Sequence, residues 1–360
     1  MRPLSHLLCL APLAMLALVS CQVKSDGVKS SVSPELISTG EAQLKSTVFH
    51  SRLTAMSVKG EQLVLGHESG GMSMWRALLS AESKPLHSWF AHEGSVRHVS
   101  IDLKGELSSL SADGSLAKWT PEGTILKRLR VSEGHPNCSL ELSDEVVVYG
   151  NDRGVLTAMN GGKRQWRTAG EHGRAVFGVA RLDQERLLSV GSDGWARCWL
   201  IKNGDRCGSL PIHDGWATVI KEMKGGWVTA GSDGWIKWWP LEWRTTLTRS
   251  TIQSQNDQLS SPAVSFLAHK RDITSLDVSG SLVVSGSEEG RVTLLELSSK
   301  DGEQVSFKRL WSYQAEELKP VMTVAIDRER AKVLVGGGKR ATLTLLSLEQ
   351  GESLLRKVLR

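Results

Sequence analysis

The chain has 360 residues, of which 40% are apolar and 23% charged, with a formal net charge of +5. That length suggests two or three domains, and that composition excludes a chain disordered throughout. The five cysteines stand singly, and no Cys-x-x-Cys or His-Glu-x-x-His occurs, which excludes a disulfide-rich scaffold and the usual zinc and haem signatures. The charge is modest and reads as spread along the chain, arguing against nucleic acid as a partner. Thirteen Trp against two Tyr is the compositional oddity that needs a cause.

Met1-Arg2 is followed by an apolar stretch from Leu4 to Val19, too short for a confident membrane span and suited to a secretory signal. Its last residues, Leu18-Val19-Ser20-Cys21, resemble the lipobox of bacterial lipoproteins. Leu18 is too bulky for ordinary signal cleavage, which wants a small residue there. The resemblance implies removal of residues 1–20, acylation of Cys21 and a chain anchored in a bacterial cell envelope. Each buried methylene of such a lipid contributes about 0.8 kcal/mol. Gln22 rather than Asp after the Cys implies sorting to the outer membrane, facing periplasm or cell surface. Residues 21–40 lack periodicity, are rich in Ser, Lys and Val, and read as a flexible tether.

From residue 41 onward a repeat of about forty residues replaces the two or three domains. Ser111-Ala112-Asp113-Gly114, Gly191-Ser192-Asp193-Gly194 and Gly231-Ser232-Asp233-Gly234 are one turn written three times, each with a Trp five residues later. Gly70, Gly154 and Gly290 continue the series, and a His precedes most turns by about twenty residues (His92, His135, His172, His213, His269). Alternating apolar runs such as Val96–Leu103 and Ile273–Val278 lie between, each followed by a short apolar strand such as Leu187–Val190, and they read as strands joined by tight turns.

This spacing resembles the WD-repeat family of β-propellers, although no literal Trp-Asp dipeptide occurs. The resemblance implies an all-β, seven-bladed propeller with four-stranded antiparallel blades over residues 41–360. Three units carry a full set of four: His92, Ser109, Asp113 and Trp119; His172, Ser189, Asp193 and Trp199; His213, Thr229, Asp233 and Trp239. In the family, matching residues form a buried chain from indole through hydroxyl and imidazole to carboxylate. A hydrolase triad would occur once, and no Gly-x-Ser-x-Gly elbow is present. Recurrence marks these residues as scaffold.

The first unit has Leu65 at the hydroxyl position, the third Met159 at the indole position and the sixth Leu295, so apolar packing is expected to hold those blades. The seventh, from Pro320 to Leu348, is degenerate. Either Gln43–Phe49 or Glu352–Leu359 would supply its outer strand, and the stretch from Trp243 to Pro262 reads as an inserted loop after the fifth unit's third strand. Leu156 to Trp166 resembles the Trp-containing motif of quinoprotein-type propellers, which include an outer-membrane assembly lipoprotein. Counting residues across the Asn203-Gly204 turn sets Cys207 opposite Trp199, which would send the Cys198 and Cys207 thiols to opposite faces and leave them unbonded.

Eight tryptophans fall between Trp195 and Trp243. Trp195, Trp235 and Trp216 are expected on the face that carries the Asp-Gly turns, with Arg97, Arg174, Arg271 and Lys339 at comparable places, as an aromatic anchor for a protein partner. Packing between blades is the competing role for Trp195 and Trp235. The resulting expectation is a non-enzymatic, lipid-tethered interaction scaffold, monomeric within a complex, with no catalytic residue, metal or cofactor. A propeller enzyme or ligand-binding protein would need a polar cluster that breaks the repeat in the central channel, and the sequence offers none.

Overall fold

Twenty-eight strands in the computed structural model form seven four-stranded antiparallel sheets, each a meander of consecutive strands. The structure describes residues 51–131, 134–223, 225–243, 262, 264–298 and 305–359. The sheets span residues 53–90, 96–130, 136–167, 176–211, 217–267, 273–314 and 321–358, numbered here as blades one to seven. First strands of successive blades stand side by side around the ring, and that of blade seven (Val321–Asp327) meets that of blade one (Leu53–Lys59). First strands therefore surround the centre and fourth strands form the rim. The chain is an all-β, seven-bladed propeller.

The alternation seen in the sequence is what each blade buries. In the third strand Trp195–Leu200, Ala196 and Cys198 point to blade five, in one cluster with Ile220, Trp227 and Trp239. Trp199 points the other way, into a cluster with Val148, Leu156 and Trp166 of blade three. Every blade is thus apolar on both faces, and the core is divided into seven joints.

Each first strand carries a β-bulge at its second residue: Thr54, Arg97, Asn137, Phe177, Thr218, Thr274 and Met322. The bulge turns that side chain out of register. In four blades it donates a hydrogen bond to the next blade: Thr54 to Val96 O at 2.6 Å, Asn137 to Val176 O at 3.3 Å, Thr218 to Ile273 O at 2.7 Å and Thr274 to Val321 O at 2.5 Å.

Blade seven is contiguous, with Ser353–Val358 as its fourth strand. The alternative strand, Gln43–Phe49, lies outside the described residues, as do Cys21 and residues 244–261 of the insertion. That insertion separates the third strand of blade five, Trp235–Pro240, from its fourth, Val264–Leu267. Two cations tie the ring's ends together. Arg330 donates to Gly60 O at 2.8 Å, and the Lys357 ammonium donates to Ala81 O at 2.6 Å and Ser83 O at 2.5 Å.

Candidate functional site

The structure brings the repeated polar sets together in blades two, four and five. In blade four the Trp199 indole donates to Ser189 Oγ at 2.7 Å. Ser189 Oγ lies 2.7 Å from His172 Nε2, and His172 Nδ1 lies 2.9 Å from Asp193 Oδ1. Blade five repeats this with Trp239 to Thr229 at 2.9 Å, Thr229 to His213 at 2.9 Å and His213 to Asp233 at 3.0 Å. In blade two Trp119 donates to Ser109 at 2.8 Å and Ser109 meets His92 Nε2 at 2.7 Å. There Ser115 relays between His92 Nδ1 (2.8 Å) and Asp113 (2.7 Å). An indole can only donate and a carboxylate only accept, and burial, which lowers these histidines, favours a neutral imidazole between the two ends.

A cation accompanies each carboxylate, at the same place in the repeat in blades four and five (Arg197, Lys237) and elsewhere in the others. Arg197 Nη1 is 2.6 Å from Asp193, Lys237 Nζ is 3.9 Å from Asp233, and Arg291 Nε is 3.6 Å from Glu289. In blade two the cation comes from the fourth strand: Arg128 reaches Ser115 at 3.3 Å and lies over the Trp119 ring. Burial pushes His92 down to about 4, with Asp113 opposing and Arg128 reinforcing. Burial likewise lowers His172 and His213 against the pull of their Asp partners. Burial also works against charge on Asp113, Asp193 and Asp233, but their hydrogen bonds and cationic neighbours outweigh it and hold the carboxyls low.

The other blades depart from this pattern. Blade one, expected to rely on apolar packing, has its own network. Trp75 donates to Ser73 at 2.9 Å, and Ser73 lies 3.2 Å from His67 Nε2. The hydroxyl has moved from the second strand to the third, which leaves Leu65 free for the core. Blade six keeps His269 against Ser285 at 2.8 Å, with Glu289 at 3.7 Å and Leu295 in the core. In blade three, His135 is exposed and set against Ala112 O at 2.5 Å, outside any buried network, while Tyr149 and Met159 are buried.

Asp-Gly turns carry a second constraint. Gly194 has φ +76°, and a Cβ there would stand 2.4 Å from His213 O of the next blade, whose N–H donates to Gly194 O at 3.1 Å. Glycine is thus required both by its left-handed backbone and by the approach of the neighbouring blade.

The Trp166 motif recurs. Trp166, on the fourth strand of blade three, lies over Gly204 in the turn of blade four and donates to Ile201 O at 2.8 Å. Trp311 of blade six does the same over Gly351, donating to Leu348 O at 2.9 Å, and Trp89 of blade one covers Gly123. The signal was present in the turns Pro121-Glu122-Gly123, Lys202-Asn203-Gly204 and Gln350-Gly351, where φ is positive and no Cβ blocks the ring.

The aromatic face divides in two. Trp216 is half-buried beside the bulge residue Phe177, ring centroids 5.8 Å apart, where the first strands of blades four and five begin. Trp195 and Trp235 stand farther out, 37% and 36% exposed, with no ring contact to Trp216 among the described residues. Trp195 covers Arg197 at 5.9 Å and so also shields the network beneath. Arg174, Arg271 and Lys339 are exposed on loops of blades four, six and seven. Arg97 is half-buried on blade two, its charge disfavoured by burial and compensated by Glu68 and Asp152.

Two further expectations are corrected. Cys198 and Cys207 form a disulfide, Cα atoms 5.2 Å apart. Gly208 pairs with Cys198 and Arg206 with Trp199, so Cys207 is the extra residue of a bulge, which turns its thiol toward Cys198. Counting without that bulge put the thiols on opposite faces. Nor is charge spread evenly: the seven fourth strands carry eleven Lys or Arg and no Asp or Glu.

No family model and no curated protein matches the chain. Among solved structures, that of the computationally designed Ika8 protein is similar, with a TM-score of 0.59 and 17% identity over 83% of this chain and 96% of that one. At that identity the likeness concerns architecture alone: this chain shares the fold of the designed protein.

Proposed function

We propose that the chain is a non-enzymatic scaffold of WD-repeat type, held to a bacterial envelope membrane by acylated Cys21, and that it binds a protein partner on the face bearing the Asp-Gly turns. The observation that carries this is the Phe177–Trp216 pair at the mouth of the ring, flanked by the partly exposed Trp195 and Trp235. Large rigid rings left in reach of solvent are what interfaces use as anchors. The Ser, His and carboxylate groups of the blades are engaged with one another, which speaks for scaffold rather than catalysis.

The test is a photo-crosslinking residue placed at Trp195, Trp216 or Trp235 of the full chain in its native envelope, with Lys104 on a first-to-second-strand turn as control. A discrete protein adduct from the aromatic positions only, weakened by Trp216→Ala in the same chain, is the expected outcome. Equal adducts from Lys104 would sink the face assignment. A second reading, the quinoprotein-like assembly lipoprotein, is favoured by the three indoles seated over turn glycines. It requires that deletion of the chain lower the level of integral outer-membrane proteins.

A further inference from the structure

Charge on this propeller is segregated by strand. The chain has 44 basic and 39 acidic residues, yet its seven outermost strands hold eleven basic residues and no acidic one. Without those eleven the rest of the chain is net negative. Charged side chains on rim strands guard against edge-to-edge pairing, but that protection works with either sign and most often uses Lys. It explains charge, not the exclusion of carboxylates, and seven of the eleven are Arg.

Several of these cations have local duties. Lys127 faces Glu145 at 3.3 Å, Arg206 pairs with Glu171, Arg356 with Glu317, and Lys357 binds carbonyls of blade one. The largest concentration lies on two adjacent blades: Lys127, Arg128 and Arg130 on Ile125–Arg130, and Lys163, Arg164 and Arg167 on Lys163–Arg167. Glu145, which faces this arc, is taken up by Lys127. Arg130 and Lys163 have no ion pair among the described residues, and with Arg164 and Arg167 they are exposed.

We infer that the rim of blades two and three is a docking surface for an anionic phospholipid bilayer. Guanidinium groups bind phosphate through paired donors, and several cations on one arc add their attraction within a Debye length of a charged surface. Leu126 and Ile125, both about half exposed on the same strand, give the arc an apolar component that can enter the headgroup layer. The inference rests on the tethered reading only for nearness to a membrane, which raises the effective concentration of lipid.

The test is flotation of the full chain with vesicles of phosphatidylcholine alone or with phosphatidylglycerol added. Neutral vesicles measure whatever the N-terminal segment contributes, and the difference between the two lipids measures the rim. More than tenfold stronger partition onto anionic vesicles is expected, lost in Arg130→Glu/Lys163→Glu/Arg164→Glu and at high salt, about 0.5 M. Lys308→Glu/Arg309→Glu on blade six is expected to leave the difference intact. The milder Lys163→Gln/Arg164→Gln, checked for an unchanged melting temperature, covers misfolding of the triple variant and should lower the difference by several-fold. Equal partition onto both lipids, or an equal loss from the blade-six pair, would overturn the assignment. Failure of all binding to neutral vesicles would count against the tether and not against the rim.

Discussion

The joint between blades four and five and the joint between blades two and three are built from the same repeat and have opposite interiors. In the first, Trp239 stacks on Trp243 with centroids 4.6 Å apart, Trp227 leans on Trp243 at 6.1 Å, and the Cys198–Cys207 disulfide sits in the blade-four wall of the same cluster. In the second, the buried apolar residues are Leu110, Leu116, Val147, Tyr149 and Met159, and no Trp is among them. Met159 stands where other blades place the network indole, and Ile125–Arg130 has no Trp to seat over the next turn. The space left is a cleft of about 480 Å³, solvent included, lined by residues such as His98, Ser108 and Ser139. It is bridged by Lys118 to Glu141 at 3.2 Å and Lys127 to Glu145 at 3.3 Å. Aromatic area is the mortar of this ring, and where the repeat loses its indoles, ion pairs stand in their place.

Acid should test the networked blades most severely. His67, His92 and His269 are held by burial at about 4, against 6.5 in the unfolded chain. Below 6.5 the unfolded chain binds protons that the folded chain refuses. Stability is therefore complete above pH 6.5, is lost progressively as pH falls toward 4, and reaches on the order of 3 kcal/mol for each such His. The check is urea unfolding from pH 7.5 to 4. A flat profile through pH 5 would mean these imidazoles take up protons in the fold as readily as in the unfolded chain, contradicting their depression by burial.

Next in size is the loss of one indole. Trp239→Ala removes a side chain 1% exposed and leaves Thr229 without its donor, so about 3–5 kcal/mol is expected, while Met159→Ala should cost about 2–3. Thermal and urea denaturation of the two variants compare the joints directly. Equal losses would show that the contrast in Trp content has no energetic counterpart.

Much of this was legible in the sequence because the Asp-Gly turn is a local device. Asp-Gly with a Trp five residues on fixes a hairpin, and at Gly194 and Gly234 the turn's glycine must also admit the next blade's His carbonyl, so there the period announces both blade and joint. What escaped notice depends on register or on side chains that cross the repeat. The Ser73 hydroxyl of blade one serves from a different strand from its counterparts, and Arg128 arrives from a fourth strand whereas Arg197 comes from a third. Trp89 and Trp311 were not linked to Trp166 because the glycines they cover lie one blade later. The disulfide depended on a single bulge, which moves a side chain from one face to the other without changing the residue count by more than one. Of the proposed partner face, the sequence marked Trp216, Trp195 and Trp235 but not Phe177, whose bulge position is known only once the pairing of first and second strands is known.

The disulfide closes a short loop on the well-packed side, and removing it by Cys198→Ala/Cys207→Ala is expected to cost about 2–3 kcal/mol by chain entropy. That effect should persist at high salt, which separates it from the last and smallest one. Glu145 is 63% exposed and Lys127 34%, so their pair sits largely in water, where an ion pair is worth under about 1 kcal/mol. Lys118 is more enclosed, 20% exposed, and faces both Glu141 and Asp144. A double-mutant cycle on Lys118→Met and Glu141→Gln should therefore give the larger coupling of the two, still near 1 kcal/mol and reduced by salt. If either coupling exceeded about 2 kcal/mol, the ions would be holding the joint between blades two and three as firmly as indoles hold the others. The looseness ascribed to it would then belong to its cleft alone, and amide exchange across Val146–Asn151 would be as slow as across Gly226–Gly231.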